Sequence, residues 1–304
     1  MDHRAIEGMN MRKNYKKFSV FFIAIAIVLI VYSVITLVLL IWGAFTSVKD
    51  VDAFRTNILW IPKKGQWAFD NFSYVLSQFY VPIDRGGVPD YVNISEQLVN
   101  SCIYVLVGAF LGAFFPCLVA YATNKFRYKF SDVVYFIVLL AMMLPIVGAQ
   151  VSEIEMLNRM NVFDTWIGLF LLKSNFMGVY YLIFYAQFSQ LSNAFSEAAE
   201  IDGANEFQKM FKINFPLVRN TFFIIFLMLA LGYWNDYGFI AMYMPTHPTL
   251  ANGLLALSQS KINLLTEVPM RLAGCVMLAI PVLIIYLIFK DKFISNLTMG
   301  GVKG

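Results

Sequence analysis

Apolar positions run in long blocks along this chain, and the charged positions gather between the blocks. The clearest block, FSVFFIAIAIVLIVYSVITLVLLIW at residues 18–42, carries no charge. At about 1.5 Å of rise per residue it is long enough to cross a hydrocarbon layer roughly 30 Å thick, a length no soluble core requires. It follows a basic start, yet it is too long for a signal-peptide core and lacks a small-residue cleavage site, so it reads as a retained span. Further blocks lie at residues 98–123, 132–151, 166–188, 221–242 and 272–289, with the block at 166–188 interrupted by Lys173. The pattern predicts an all-α, polytopic membrane protein with six transmembrane helices.

Composition agrees with that reading. Of 304 residues, 59% are hydrophobic and 14% charged, and the mean hydropathy of +0.66 lies well above that of soluble domains. Lys and Arg distribute unevenly between the loops, and cytoplasmic loops retain positive charge. Arg4, Arg12, Lys13, Lys16, Lys17, Lys125, Arg127, Lys129, Lys209, Lys212 and Arg219 fall on one set of segments, with Lys290, Lys292 and Lys303. The other set carries fewer, among them Lys49, Arg55, Lys63, Lys64 and Arg85. Both termini are therefore expected in the cytoplasm. The expected organisation is a cytoplasmic tail at 1–17, a first span at 18–42, an extracytoplasmic loop at 43–95, a membrane core at 96–290 and a cytoplasmic tail at 291–304.

Charge and motif content exclude several classes. The formal charge of +4 follows from membrane topology and is no argument for nucleic-acid binding. Cys102, Cys117 and Cys275 lie in apolar stretches without CxxC spacing, and His3 and His247 are too far apart for a helical metal or haem site. No metal and no cofactor is expected on this chain. No GxxxxGK[ST] phosphate loop occurs, so the chain is not expected to bind or hydrolyse ATP, or to be an enzyme.

The segment 189–220 is the longest internal loop expected on the cytoplasmic side. Within it SEAAEIDGANEFQKMFKINFPL, residues 196–217, sets Glu197, Glu200, Asp202 and Glu206 among helix formers. It predicts a hairpin at 193–217: a first short helix, a break at Asp202-Gly203 where glycine suits a left-handed residue, and a second helix ended by Pro216. Asp202 or Asn205 can cap the second helix. Phe207, Met210, Phe211 and Asn214 follow helical spacing, which predicts a ridge on one face. Periodicity alone leaves a linker lying on the bilayer and a protein-docking element equally open. Four carboxylates argue against an anionic leaflet and for a protein partner.

Glu197, Ala198, Ala199, Asp202, Gly203, Ala204, Phe211, Ile213 and Pro216 match the form EAAxxDGAxxxxxFxxIxxP. In this the chain resembles the permeases of ABC importers, type I and binding-protein-dependent, in the maltose-type carbohydrate branch. TSVKD, DNFSYVL, the NS before 102, AYATNKF, MMLP, WNDY, PTLANGL and the terminal LTMGGVKG carry the resemblance along most of the chain. The resemblance implies a second, homologous permease subunit, two cytoplasmic ATPase subunits that bind Mg-ATP, and an extracytoplasmic solute-binding protein, all assembled in a bacterial cytoplasmic membrane. It also implies that the 193–217 hairpin, with Phe207 beside the motif residues, docks into the ATPase as a coupling helix. The tail residues Gly300, Gly301 and Lys303 are implied to approach the ATPase pair.

Candidates for a solute pathway are weaker. Trp234, Asn235, Asp236 and Tyr237 offer aromatic faces and acceptors suited to a sugar ring, or else an interfacial aromatic belt with a structural or gating role. Tyr180, Tyr181, Tyr185 and Gln187 cannot share one helical face. Gln150, Glu153 and Glu155 depart from the apolar character of the branch, and a solvated rim, a contact with the binding protein or one with a cationic or amine-bearing glycan would explain them. Pro116, Pro145 and Pro281 are expected to kink their spans. Alternatives are an ABC permease for a non-sugar solute and an ion-coupled secondary transporter. The latter would call for paired half-repeats and an intramembrane ion site.

Overall fold

The structure, a computed structural model, describes the backbone at residues 3–126, 128, 130–144 and 148–299, with side chains between Phe21 and Lys290. In chain order the elements are α1 (His3–Ser47), α2 (Val51–Thr56), α3 (Asp70–Ser77), β1 (Tyr80–Arg85), β2 (Val88–Asn93), α4 (Ile94–Lys125), α5 (Ser131–Met143) and α6 (Ala149–Arg159). There follow α7 (Trp166–Lys173), α8 (Val179–Ser189), α9 (Ala194–Ile201), α10 (Glu206–Gln208), a π-helical turn (Lys209–Asn214), α11 (Phe215–Trp234), α12 (Gly238–Tyr243), α13 (Leu250–Gln259), a 3₁₀ turn (Asn263–Thr266) and α14 (Val268–Met299). Two compact units divide them: the chain up to Val75 with Lys261–Val276, and Leu76–Ser260 with the chain from Met277 on.

Among the described residues, four helices are long and apolar enough to cross a membrane: Phe21–Ser47, Ile94–Lys125, Glu206–Trp234 and Val268–Lys290. The expected third and fourth spans take other forms. Residues 132–151 are not one rod, because α5 ends at Met143 after 13 residues, about 20 Å, and α6 starts only at Ala149 after Gly148 at φ +83°. Residues 166–188 divide into α7 and α8. Lys173 closes α7, and Ser174–Gly178 separates the two, with the Asn175 side chain accepting from the Met177 N–H. The all-α expectation also needs correcting: β1 and β2 form an antiparallel hairpin, in register from Tyr80 opposite Asn93 to Arg85 opposite Val88. Its two-residue turn, Gly86-Gly87, has φ +68° and +90°, the positive values that tight hairpins demand.

In the first unit α1 presents Phe21–Ile41 as an almost wholly exposed apolar surface. The loop after it is ordered by polar groups. Asn71, buried, donates to the carbonyls of Ser47 (3.0 Å) and Lys49 (2.9 Å). Asp50 caps α2 by accepting from the Asp52 and Ala53 N–H groups. Lys49 is buried, and that burial holds its ammonium below the usual lysine range.

The second unit is built on α4, which packs against α8 and α11. Its buried small residues, Gly108, Ala109, Gly112, Ala113 and Ala120, let those helices approach closely. A β-carbon on Gly112 would sit 3.0 Å from the Leu229 side chain, and one on Gly253 of α13 only 2.1 Å from Gln97 Oε1 and 2.3 Å from the Phe79 ring. Cys117, Tyr181, Phe184, Phe188, Val218 and Ile225 join Ala113 and Ala120 in one buried cluster. The helices α4 and α14 continue through Pro116 and Pro281, while Pro145 lies outside the described residues.

Candidate functional site: the 193–217 hairpin

Helix α9 runs over AFSEAAEI after Asn193, and its end is a complete Schellman motif. The Gly203 N–H bonds to the Glu200 carbonyl (3.0 Å), and the Ala204 N–H to that of Ala199 (2.9 Å). Gly203 has φ +79°, the left-handed value that glycine takes without penalty. Of the two expected caps, Asn205 takes the role: its side chain accepts from the Gln208 N–H, and Gln208 accepts from the Asn205 N–H, a reciprocal capping box. Asp202 instead closes α9.

Pro216 does not end the second arm. The chain stays helical from Glu206 to Trp234 because a π-helical turn precedes the proline, with the Phe215 N–H reaching the Met210 carbonyl five residues back. The wider turn makes room for a ring that would collide with an α-helical carbonyl, and α11 starts with Pro216 in its first turn. The buried Asn214 amide donates to the Lys209 carbonyl (3.0 Å) inside that turn, and to Ser196 Oγ of α9 (3.2 Å).

The register change also splits the expected ridge. Met210 and Asn214 turn inward, Phe211 is half-buried, and Phe207 is 71% exposed with its ring 4.5 Å from that of Phe211. Lys209 lies under the turn and bonds both Glu200 Oε2 (2.9 Å) and Glu206 Oε1 (2.6 Å), so the two arms are ion-paired. Of the motif residues, Ala199 is buried, Ala204 and Ile213 are half-buried, and Glu197, Ala198, Asp202, Gly203 and Pro216 are exposed. Together with Phe195 and Ile201, exposed at 56% and 88%, Phe207 gives the hairpin an outward set of large apolar groups among its carboxylates. Such a surface is suited to a protein groove.

The hairpin is tied to α4 at its root. Lys125 donates to the Leu191 carbonyl and to Asn193 Oδ1, each at 3.0 Å. Beside this tie lies a polar cavity of about 810 Å³ lined by Thr123, Asn124, Tyr128, Ser131, Tyr185 and Ser189 among others.

The solute-pathway candidates fall into two groups. Tyr181 is buried in the α4 cluster with its hydroxyl 2.8 Å from Thr123 Oγ1, and Tyr185 packs against Tyr135, ring centres 4.7 Å apart and tilted by 41°, and borders the cavity. Trp234 is largely buried, and its indole N–H is taken up by the Leu278 carbonyl (3.1 Å). The Asn235 amide returns to its own helix, donating to Leu231, and the Tyr237 carbonyl accepts from Asn252. Asp236 accepts from the Tyr104 hydroxyl (2.8 Å) and the Phe239 N–H (3.0 Å).

Next to Asp236 the structure assembles Lys173, which the sequence pattern left unassigned, and Glu153, which is half-buried and bonded within the protein where a solvated rim was one expectation. The Lys173 ammonium lies 3.4 Å from the Phe239 ring centre, 4.3 Å from Tyr233 and 5.2 Å from Tyr104, while Glu153 accepts from the Tyr243 hydroxyl. The interruption of an apolar block by Lys173 and the acidic Glu153 were separate signals that no local pattern joins. Glu155 forms an i, i+4 pair with Arg159. The tail residues Gly300, Gly301 and Lys303 lie outside the described residues.

A bundle of apolar helices with a rigid helical hairpin between α8 and α11 is the form of a transport permease. The chain belongs to the family of binding-protein-dependent transport system inner membrane components, which matches residues 102–293. It is similar to the arabinooligosaccharides transport system permease protein AraQ of Bacillus subtilis, 25% identical over 97% of this chain and 100% of that protein. The diacetylchitobiose uptake system permease protein NgcG of Streptomyces coelicolor is 24% identical over 90% of this chain and 86% of its own. In fold, it is similar to a chain of a bacterial ABC transporter involved in the import of the acidic polysaccharide alginate, with a TM-score of 0.70, 21% identity, and coverage of 90% of this chain and 96% of that one.

Proposed function

We propose that this chain is one permease subunit of an ATP-driven, binding-protein-dependent importer of a carbohydrate, of the oligosaccharide class. Membership of the family supports the importer role. Relatives named for arabinooligosaccharides and diacetylchitobiose, aligned over most of their length, support the cargo class. In this reading a second permease subunit completes the pathway, an extracytoplasmic solute-binding protein delivers the sugar, and two cytoplasmic subunits bind Mg-ATP and hydrolyse it. The chain crosses a bacterial cytoplasmic membrane six times with both termini inside. The broken segments α5–α6 and α7–α8 supply the third and fourth crossings.

The observation that carries the mechanism is the continuity of the hairpin with α11. Closure of the ATPase pair moves Phe207, Glu197 and their neighbours as a body. The Schellman turn, the Lys209 ion pairs and the π-helical turn carry that movement into a membrane-spanning rod without unfolding. Apolar side chains seat the hairpin, and its carboxylates orient it against basic groups at the groove rim.

The test is purification with the candidate partners and an ATPase assay across a glycan panel. Stimulation by one glycan class in the presence of the binding protein is expected. Uptake driven by an ion gradient, by this chain alone and without ATP, would overturn the reading.

A further inference from the structure

The segment Ile58-Leu59-Trp60-Ile61 is a row of large apolar side chains in the loop after α1, exposed at 52%, 76%, 78% and 56%. An exposed apolar row on a water-facing loop is unfavourable, and its backbone would ordinarily be solvated. Here three of its carbonyls and the Trp60 N–H are satisfied internally. The buried Lys49 ammonium donates to the carbonyls of Asn57 (2.8 Å) and Trp60 (2.7 Å) and lies 3.5 Å from that of Ile58. The Trp42 indole N–H donates to the Ile58 carbonyl (3.0 Å), and the Asn57 side chain accepts from the Trp60 N–H (3.2 Å). Satisfying carbonyls from within the protein is what a non-helical segment needs in order to leave water.

The Trp42 contact also sets the depth of the loop. Trp42 lies five residues before the end of α1 at Ser47, and helical side chains lean toward the N-terminus. The Ile58 carbonyl is therefore held beside the last turns of the helix and not beyond its end. The uncharged apolar block at residues 18–42 ends at Trp42, and tryptophan favours the membrane–water interface. Its place at the end of that block puts Trp42 close to the hydrocarbon boundary. Next to the apolar row stand Lys63 and Lys64, both exposed, at a spacing that lets their ammonium groups meet phosphates while Trp60 and its neighbours go deeper.

We propose that residues 57–64 form an interfacial anchor, in which Ile58, Leu59, Trp60 and Ile61 insert into the leaflet that α1 exits and Lys63 and Lys64 engage anionic headgroups. The occupant of this surface is lipid. The surface is continuous with the lipid-length apolar face of α1, and every acceptor named above is already bonded within the chain. Lys49 is the organising residue: it is too buried to meet a ligand and serves to gather the carbonyls of the loop.

The test uses the full chain, in complex with its partners, in nanodiscs of phosphatidylcholine and phosphatidylglycerol whose acyl chains are brominated or not. The Trp60 signal is taken as the difference between the native chain and Trp60→Phe, an exposed position where the smaller ring leaves the fold intact. The expected result is that brominated lipid lowers the Trp60 signal about twofold or more while aqueous iodide leaves it unchanged. A spin label on Leu59→Cys should meet oxygen in preference to a water-soluble nickel chelate. Lys63→Glu with Lys64→Glu should weaken the lipid quenching in phosphatidylglycerol discs. Quenching by iodide and not by brominated lipid places the row in water and overturns the proposal. Protection from both quenchers places it under a protein partner and overturns it equally.

Discussion

Lys209 on the second arm of the 193–217 hairpin reaches across to Glu200 on the first, Nζ to Oε2 at 2.9 Å, while its aliphatic stem is buried beneath the turn. The pair fixes the angle between two short helices that neither helix could fix alone. Replacing Lys209 with Met keeps the stem and removes the charge. The expected outcome is a severalfold loss of substrate-stimulated ATP hydrolysis in the assembled complex, with expression and membrane insertion unchanged. A double-mutant cycle with Glu200→Gln should return only a small coupling to stability, because the carboxylate is well exposed to solvent.

Gly203 is required for its conformation and not for space, since a β-carbon there would meet no atom within 4 Å at φ +79°. A β-branched residue in the left-handed region costs about 1–2 kcal/mol or more. Gly203→Val should therefore uncouple ATP hydrolysis from substrate, whereas Gly203→Asn, which tolerates that region, should retain most of the stimulation. Equal activity of the two variants in the reconstituted ATPase assay would show that the turn geometry is immaterial.

Phe207 is the reverse case, an aromatic residue that the fold leaves 71% exposed. Phe207→Ala should leave thermal unfolding of the chain in detergent within about 0.5 kcal/mol of the parent. It should nonetheless weaken copurification of the ATPase by the roughly 2 kcal/mol typical of an interface anchor. An unaltered yield of ATPase on affinity capture would remove Phe207 from the docking surface.

Close packing in the second unit gives a stability prediction independent of function. Gly253→Ala would force a methyl group to within 2.1 Å of Gln97 Oε1 and 2.3 Å of the Phe79 ring. A loss of about 1–3 kcal/mol is expected, read as a lower midpoint of thermal unfolding. Gly232→Ala, where nothing lies within 4 Å, should be neutral or slightly stabilising by helix propensity.

The parts of this architecture that follow from local pattern were legible in the residues. The first span is a plain apolar run, and Gly203 between two helix-forming stretches announces a left-handed cap. Pro216 misled, because a proline ends a helix only if the preceding turn stays α-helical; the π-helical turn at Lys209–Asn214 depends on packing by Asn214 that no period reveals. The hairpin at Tyr80–Asn93 had its signal in the Gly86-Gly87 pair, which an apolar-block reading passes over. Lys173 looked like a defect in a span, whereas three rings contributed by α4, α11 and α12 surround its ammonium. Contacts across that much sequence are invisible to any local rule.

The helix from Glu206 to Trp234 has 29 residues, a length of about 43 Å. Tilting such a rod by about 5° around its midpoint displaces each end by about 2 Å, in opposite directions. One end is adjacent to the capped turn at Asn205, and the other holds its indole against the Leu278 carbonyl, two residues before the carboxylate that receives the Tyr104 hydroxyl. A displacement of that size is enough to break or make those far hydrogen bonds. Two distant polar contacts can thus be switched by an angle alone, with no chain of side-chain rearrangements between them.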